Sequence, residues 1–85
     1  MALSVLYFAR LREALGLAHE EIVYSPPLMT VAKLLEHLRG RGGCWQEALA
    51  SQRLFRVAVN QEMADGAMVL KDGDEVALFP PVTGG

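Results

Sequence analysis

The residues that could do chemistry here lie in the last seven positions, FPPVTGG at 79–85. Glycine has no side chain, so a Gly84-Gly85 end can pass through a narrow slot and offer its carboxylate to another protein's active site. Proline fixes φ and holds the residue before it extended, so Phe79, Pro80 and Pro81 read as a semi-rigid stalk. Val82 and Thr83 join that stalk to the two-glycine tip. The chemistry this geometry suits is delivery of a C-terminal acyl group: Gly85 is the candidate reacting residue, Gly84 its slim neighbour, and residues 79–83 the candidate partner-binding segment. A frayed tail of no function is the plainer alternative, since termini are commonly disordered. Phe79 itself has two readings. If Val76 and Leu78 face the core, alternation turns Phe79 outward, where an aromatic suits an interface. Otherwise it closes the end of the core.

Other reactive side chains do not assemble into a site. Cys44 is the only cysteine, which excludes an internal disulfide and any cysteine-based zinc site within one chain. Trp45 beside it predicts that the thiol is packed and structural, as free cysteines commonly are. His19 and His37 have no metal-site or triad spacing, and His37 is expected at the surface. Gly40-Arg41-Gly42-Gly43 lacks the Lys-Ser/Thr pair of a phosphate loop and reads as helix termination. Asp72 and Asp74 flank Gly73, which is turn chemistry before it is an acid pair.

The elements that position the tail must come from 85 residues, 52% hydrophobic and 21% charged. That is one globular domain, too small to hold a deep catalytic cleft comfortably. The net charge of −2 is the opposite of a nucleic-acid binder's. Residues 1–61 carry +2 and residues 62–85 carry −4, so the acidic C-terminal third is either a solvated face or a surface docking on basic residues. The opening MALSVLYFARLRE has no basic lead or small-residue cleavage site, and no apolar run approaches a membrane span. The expected compartment is the cytoplasm, with no membrane or nucleic-acid partner.

Residues 2–8 are almost continuously apolar and predict a central strand buried on both faces. Arg10 to Leu15 suits a short helix ended by Gly16. His19 to Tyr24 predicts a second strand paired with the first and broken by Pro26-Pro27. Thr30 is a fitting N-cap for the main helix, whose stripe is Val31, Leu34, Leu35 and Leu38, with Gly40 at its end. Residues 44–54 read as irregular or briefly helical. Arg56 to Asn60 alternates as a strand, and short extended pieces follow, broken at Asp65-Gly66. Asp72-Gly73 is a turn and Glu75 to Phe79 the last strand, set beside the first because those two are the most apolar. One main helix covers one face of a mixed sheet. That is an α+β domain of the β-grasp, or ubiquitin-like, arrangement. Residues 1–79 form the expected single domain and residues 80–85 an extended functional tail.

DGDEVALFPPVTGG at 72–85, with FAR at 8–10, LRE at 11–13 and VN at 59–60, resembles the small, sulfur-carrier subunits of molybdopterin synthase. The resemblance covers essentially the whole chain and is weakest over residues 39–54. It implies a β-grasp fold without catalytic machinery of its own. It implies that an ATP-dependent activating enzyme adenylates the Gly85 carboxylate, and that a sulfur donor then converts it to a thiocarboxylate. The tail would enter a large catalytic subunit, within a heterotetramer, and pass sulfur to cyclic pyranopterin monophosphate. No cofactor is bound; AMP and sulfur are held covalently and transiently at Gly85. Three alternatives stand beside this reading. A thiamine-pathway sulfur carrier shares the fold and terminal Gly-Gly but is usually shorter and lacks PPVTGG. A ubiquitin-like modifier would join Gly85 to lysines, and an inert binding module would make no use of its tail.

Overall fold

The computed structural model describes residues 2–23, 29–50 and 55–81. In chain order the elements are β1 (Ala2–Tyr7), α1 (Ala9–Leu15), β2 (His19–Val23), α2 (Val31–Arg39), α3 (Gly43–Ala48), β3 (Arg56–Val59), β4 (Glu62–Met63) and β5 (Glu75–Phe79). Five strands form one mixed sheet in the order β2-β1-β5-β3-β4. β1 and β5 run parallel at its centre, with Val5 opposite Val76 and Tyr7 opposite Leu78. The other pairings are antiparallel. This is the expected β-grasp arrangement, with the first strand beside the last.

Period-two alternation decides which face is buried. Leu3, Val5 and Tyr7 of β1, Val57 and Val59 of β3, and Val76 and Leu78 of β5 all point inward. They meet Val31, Leu34 and Leu38 of α2 and Leu11 and Leu15 of α1. The expectation that β1 is buried on both faces fails. Ser4 is exposed and Leu6 only half-buried, because all the described helices pack on the opposite side. The continuous apolar run hid an ordinary one-sided strand.

Local chemistry sets the element ends. α1 begins one residue earlier than expected and stops at Gly16, whose φ of 68° is left-handed and leaves its N–H bonded to the Arg12 carbonyl. The Thr30 hydroxyl accepts the Lys33 N–H at 3.2 Å, so Thr30 caps α2 as predicted. Gly40 does end α2, but in right-handed conformation. Residues 43–48 form the brief helix α3. Between β3 and β4 the chain reverses through Asn60 and Gln61, both at positive φ. The Asn60 side chain donates to Asp74 and accepts from the Glu75 N–H, which ties this hairpin to the start of β5. Asp72 and Asp74 serve the turn before β5, as expected: Asp72 accepts the Ala2 N–H and Asp74 the Lys71 N–H. Tyr24, Pro26 and Pro27 lie outside the described residues.

Candidate functional site

The site grows from the end of β5. Hydrogen-bonded neighbours flank this strand on both sides, β1 as far as Leu78 and β3 as far as Phe79, which stands opposite Arg56. The Phe8 N–H adds a bond to the Leu78 carbonyl at 3.1 Å. Pro80 and Pro81 have no N–H to donate, so the ladder stops and the chain leaves the sheet at Phe79. The root of the tail is therefore held by hydrogen-bonded strands on both sides. Val82, Thr83, Gly84 and Gly85 lie outside the described residues.

Phe79 shares a face with Glu75 and Ala77, opposite the inward Val76 and Leu78. The outward reading is the correct one, although the ring is half-buried among its neighbours on that face rather than free in solvent. Around it the outer face of the sheet is apolar. Leu6, Ala77, Ala58 and Met63 stand opposite one another across four adjacent strands. Phe8 continues β1 in extended conformation on the same side. Phe8 is 46% exposed and Met63 60%. The sequence placed Phe79 and Ala77 on this face but did not show Leu6, Phe8, Ala58 and Met63 beside them. Alternation within residues 2–8 was masked by the apolar run, and a two-residue strand such as β4 has no period to read.

A second cluster lies on the opposite side, at the edge of the helical layer. The Tyr7 hydroxyl donates to Glu20 Oε2 at 2.8 Å. Arg41 grips the same carboxylate with both terminal nitrogens, at 2.8 and 2.9 Å. The Arg41 guanidinium also lies 4.4 Å over the Trp45 ring, which packs edge-on against Tyr7. The Arg41 hydrogen bonds hold the Glu20 carboxyl below its ordinary range. Burial, reinforced by Glu20, raises the Tyr7 hydroxyl well above the usual phenol range. Tyr7, Glu20 and Arg41 pair with one another and the Trp45 ring packs on two of them, so the cluster is a clasp between β1, β2, the α2–α3 connection and α3. Residues 39–54, where the resemblance is weakest, thus contribute two members of a specific contact set.

The remaining candidates lie on α3, β2 and α2 rather than on β5. Cys44 is exposed, against expectation. α3 turns Trp45, Ala48 and the following Leu49 toward the core, which leaves Cys44 on the outer side. His19 and His37 are both exposed, on β2 and α2. Among the described residues no helix is long and apolar enough to cross a membrane.

Residues 5–85 match the model of the ThiS family. The chain belongs to the ThiS family. A relative in Escherichia coli named molybdopterin synthase sulfur carrier subunit is 42% identical, over 98% of this chain and 99% of the relative. Among solved structures, the complex of subunits 1 and 2 of the molybdopterin-converting factor from Helicobacter pylori contains a similar chain: 27% identity, all of both chains covered, TM-score 0.70. The small archaeal modifier protein 1 of H. volcanii is likewise similar, at 30% identity over 95% of this chain and 98% of that one, with a TM-score of 0.74. The resemblance read from DGDEVALFPPVTGG thus extends over the whole chain. The candidate site in this chain is a central strand followed by Pro80-Pro81, with an apolar sheet face beside it.

Proposed function

We propose that this ThiS family chain is the sulfur-carrier subunit of a molybdopterin synthase, with residues 1–79 as the folded domain and residues 80–85 as the delivery tail. The observation that carries the proposal is full-length similarity to carriers of that name, in a chain whose tail leaves the central strand through Pro80-Pro81. The Gly85 carboxylate attacks the α-phosphorus of ATP in an activating enzyme and displaces pyrophosphate. The resulting acyl adenylate has a good leaving group where the free carboxylate has a poor one. A sulfur donor then displaces AMP and leaves a thiocarboxylate, which is anionic and a soft nucleophile at neutral pH. Its sulfur passes to cyclic pyranopterin monophosphate on the large subunit and water hydrolyses the acyl group left behind, so Gly85 returns to a carboxylate; two such deliveries supply the two sulfurs of the dithiolene.

The folded part supplies position. Phe79, Pro80, Pro81, Val82 and Thr83 are the segment the large subunit grips, and the sheet face of Leu6, Phe8, Ala58, Met63 and Ala77 extends that grip. Gly84 keeps the tip slim enough for a narrow channel, in which the thiocarboxylate is sheltered from water. The cytoplasm, where ATP and the partner enzymes meet, is the proposed compartment. The test is product formation with purified activating enzyme, sulfur donor, large subunit and precursor. Deleting Gly85 shortens the reach by up to ~3.5 Å and should abolish turnover, since misplacement near 1 Å can already cost ~100-fold. Near-normal turnover by the deletion variant would overturn the mechanism. The likeness to an archaeal modifier protein favours a second reading, conjugation of Gly85 to lysines; immunoblots of cell extract for higher-mass conjugates distinguish it.

A further inference from the structure

The outer face of the sheet is graded in charge as well as apolar. At the tail end, Arg56 stands beside Phe79 on the adjacent strand. Ala58 and Ala77 form the middle row, continued by Leu6 and Met63. At the far end Glu75 stands opposite Ser4, which is itself opposite Glu21. Asn60, bonded to Asp74, continues the β3 side of that end. Arg56 and Asn60 are four residues apart, so the basic and acidic ends are separated by about 13 Å, with the small residues midway. A two-fold axis lying along the middle row turns such a face onto itself end for end. It sets Arg56 of each copy over the Asn60 and Glu75 end of the other, and lays the apolar rows together. Such isologous pairing is the usual form of a homodimer contact.

We propose that the free chain associates with a second copy of itself through this sheet face. This antiparallel stacking brings the basic end of each copy to the acidic end of the other; a parallel one keeps the two Arg56 ends together and the two Glu75 ends together. The chain exposes 5345 Å² in all. A contact taking about a tenth of that from each copy falls at the small end of specific interfaces, so the dimer is weak and reversible. It covers the root of the tail. Under the function proposed above, on which this consequence rests, self-association and docking on the large subunit therefore exclude each other. The pair is a reserve form that hides the apolar face until a partner replaces the second copy.

Sedimentation of the purified chain alone, from about 10 µM to about 1 mM, tests this. The weight-average mass should rise from the 9.3 kDa of one copy toward twice that value. Arg56→Glu and Glu75→Arg should each keep the chain monomeric, and the double reversal should restore association because it keeps the two ends opposite in sign. Glu75 is half-buried, so Met63→Asp, at an exposed position, provides an independent break that should also hold the chain monomeric. A wild-type mass that stays at one copy throughout would overturn the proposal. So would single variants, Met63→Asp included, that associate as the wild type does, or a double reversal that stays monomeric. The experiment contains no activating enzyme and no large subunit, so its failure leaves the sulfur-carrier assay standing.

Discussion

Phe79 occupies the last ladder position before the prolines, and its ring lies on the open face of the sheet while Leu78 beside it is fully buried. The two residues therefore separate docking from folding. Phe79→Ala should weaken binding to the large subunit by about 2 kcal/mol, roughly 30-fold, with a small change in melting temperature of the free chain. Leu78→Ala should instead cost about 2–5 kcal/mol of stability, since it leaves a cavity in the core beneath the helices. Titration of the complex beside calorimetry of each free variant checks both, and a Phe79→Ala loss seen only in melting would reassign the ring to the core. Cys44 makes a second case. It is exposed on α3, separate from the root of the tail, and its thiol has no part in the acyl chemistry proposed for Gly85. Cys44→Ser should leave sulfur transfer unchanged in the reconstituted assay; a folded variant unable to make product would show that the thiol carries sulfur.

At the scale of elements, strands and the main helix were legible in the sequence because their signals are local. Thr30 capped α2, the stripe of Val31, Leu34 and Leu38 went inside, and the Asp72-Gly73 turn led into β5. What was not legible depends on contacts between distant residues. The clasp of Tyr7, Glu20, Arg41 and Trp45 joins β1, β2, the α2–α3 connection and α3, and no spacing in the sequence announces it. The clasp makes stability depend on pH at both extremes. Glu20 is held below its ordinary range by Arg41, so its contribution is present above the usual glutamate value of ~4.3 and is lost as pH falls through the lower folded value. Tyr7 is raised, so its contribution is complete below the ordinary tyrosine value of ~10 and is lost as pH rises beyond it. Melting curves across pH should show both losses. Glu20→Gln should flatten the acid limb and Tyr7→Phe the alkaline one; unchanged slopes in these variants would remove the clasp from the account.

For the whole molecule, division of labour is the governing fact. A 9.3 kDa chain has room for one core and a five-stranded sheet, and the described residues spend that room on fixing the direction in which β5 ends. The tail reading proposed here rests on the sequence itself, because proline and glycine act through backbone conformation. The apolar outer face of the sheet was not legible, because its members come from four strands and become neighbours only through the pairings of β1 and β3 with β5 and of β3 with β4. The central claim is that the C-terminal carboxylate, and no side chain, carries the sulfur. Intact-mass analysis of the chain after incubation with activating enzyme, ATP and sulfur donor tests it most directly. The account predicts a gain equal to replacement of one oxygen by sulfur, located at Gly85 by fragmentation, present in Cys44→Ser and absent from the Gly85 deletion. An unchanged mass in the wild type, or sulfur found on Cys44 instead, would contradict it.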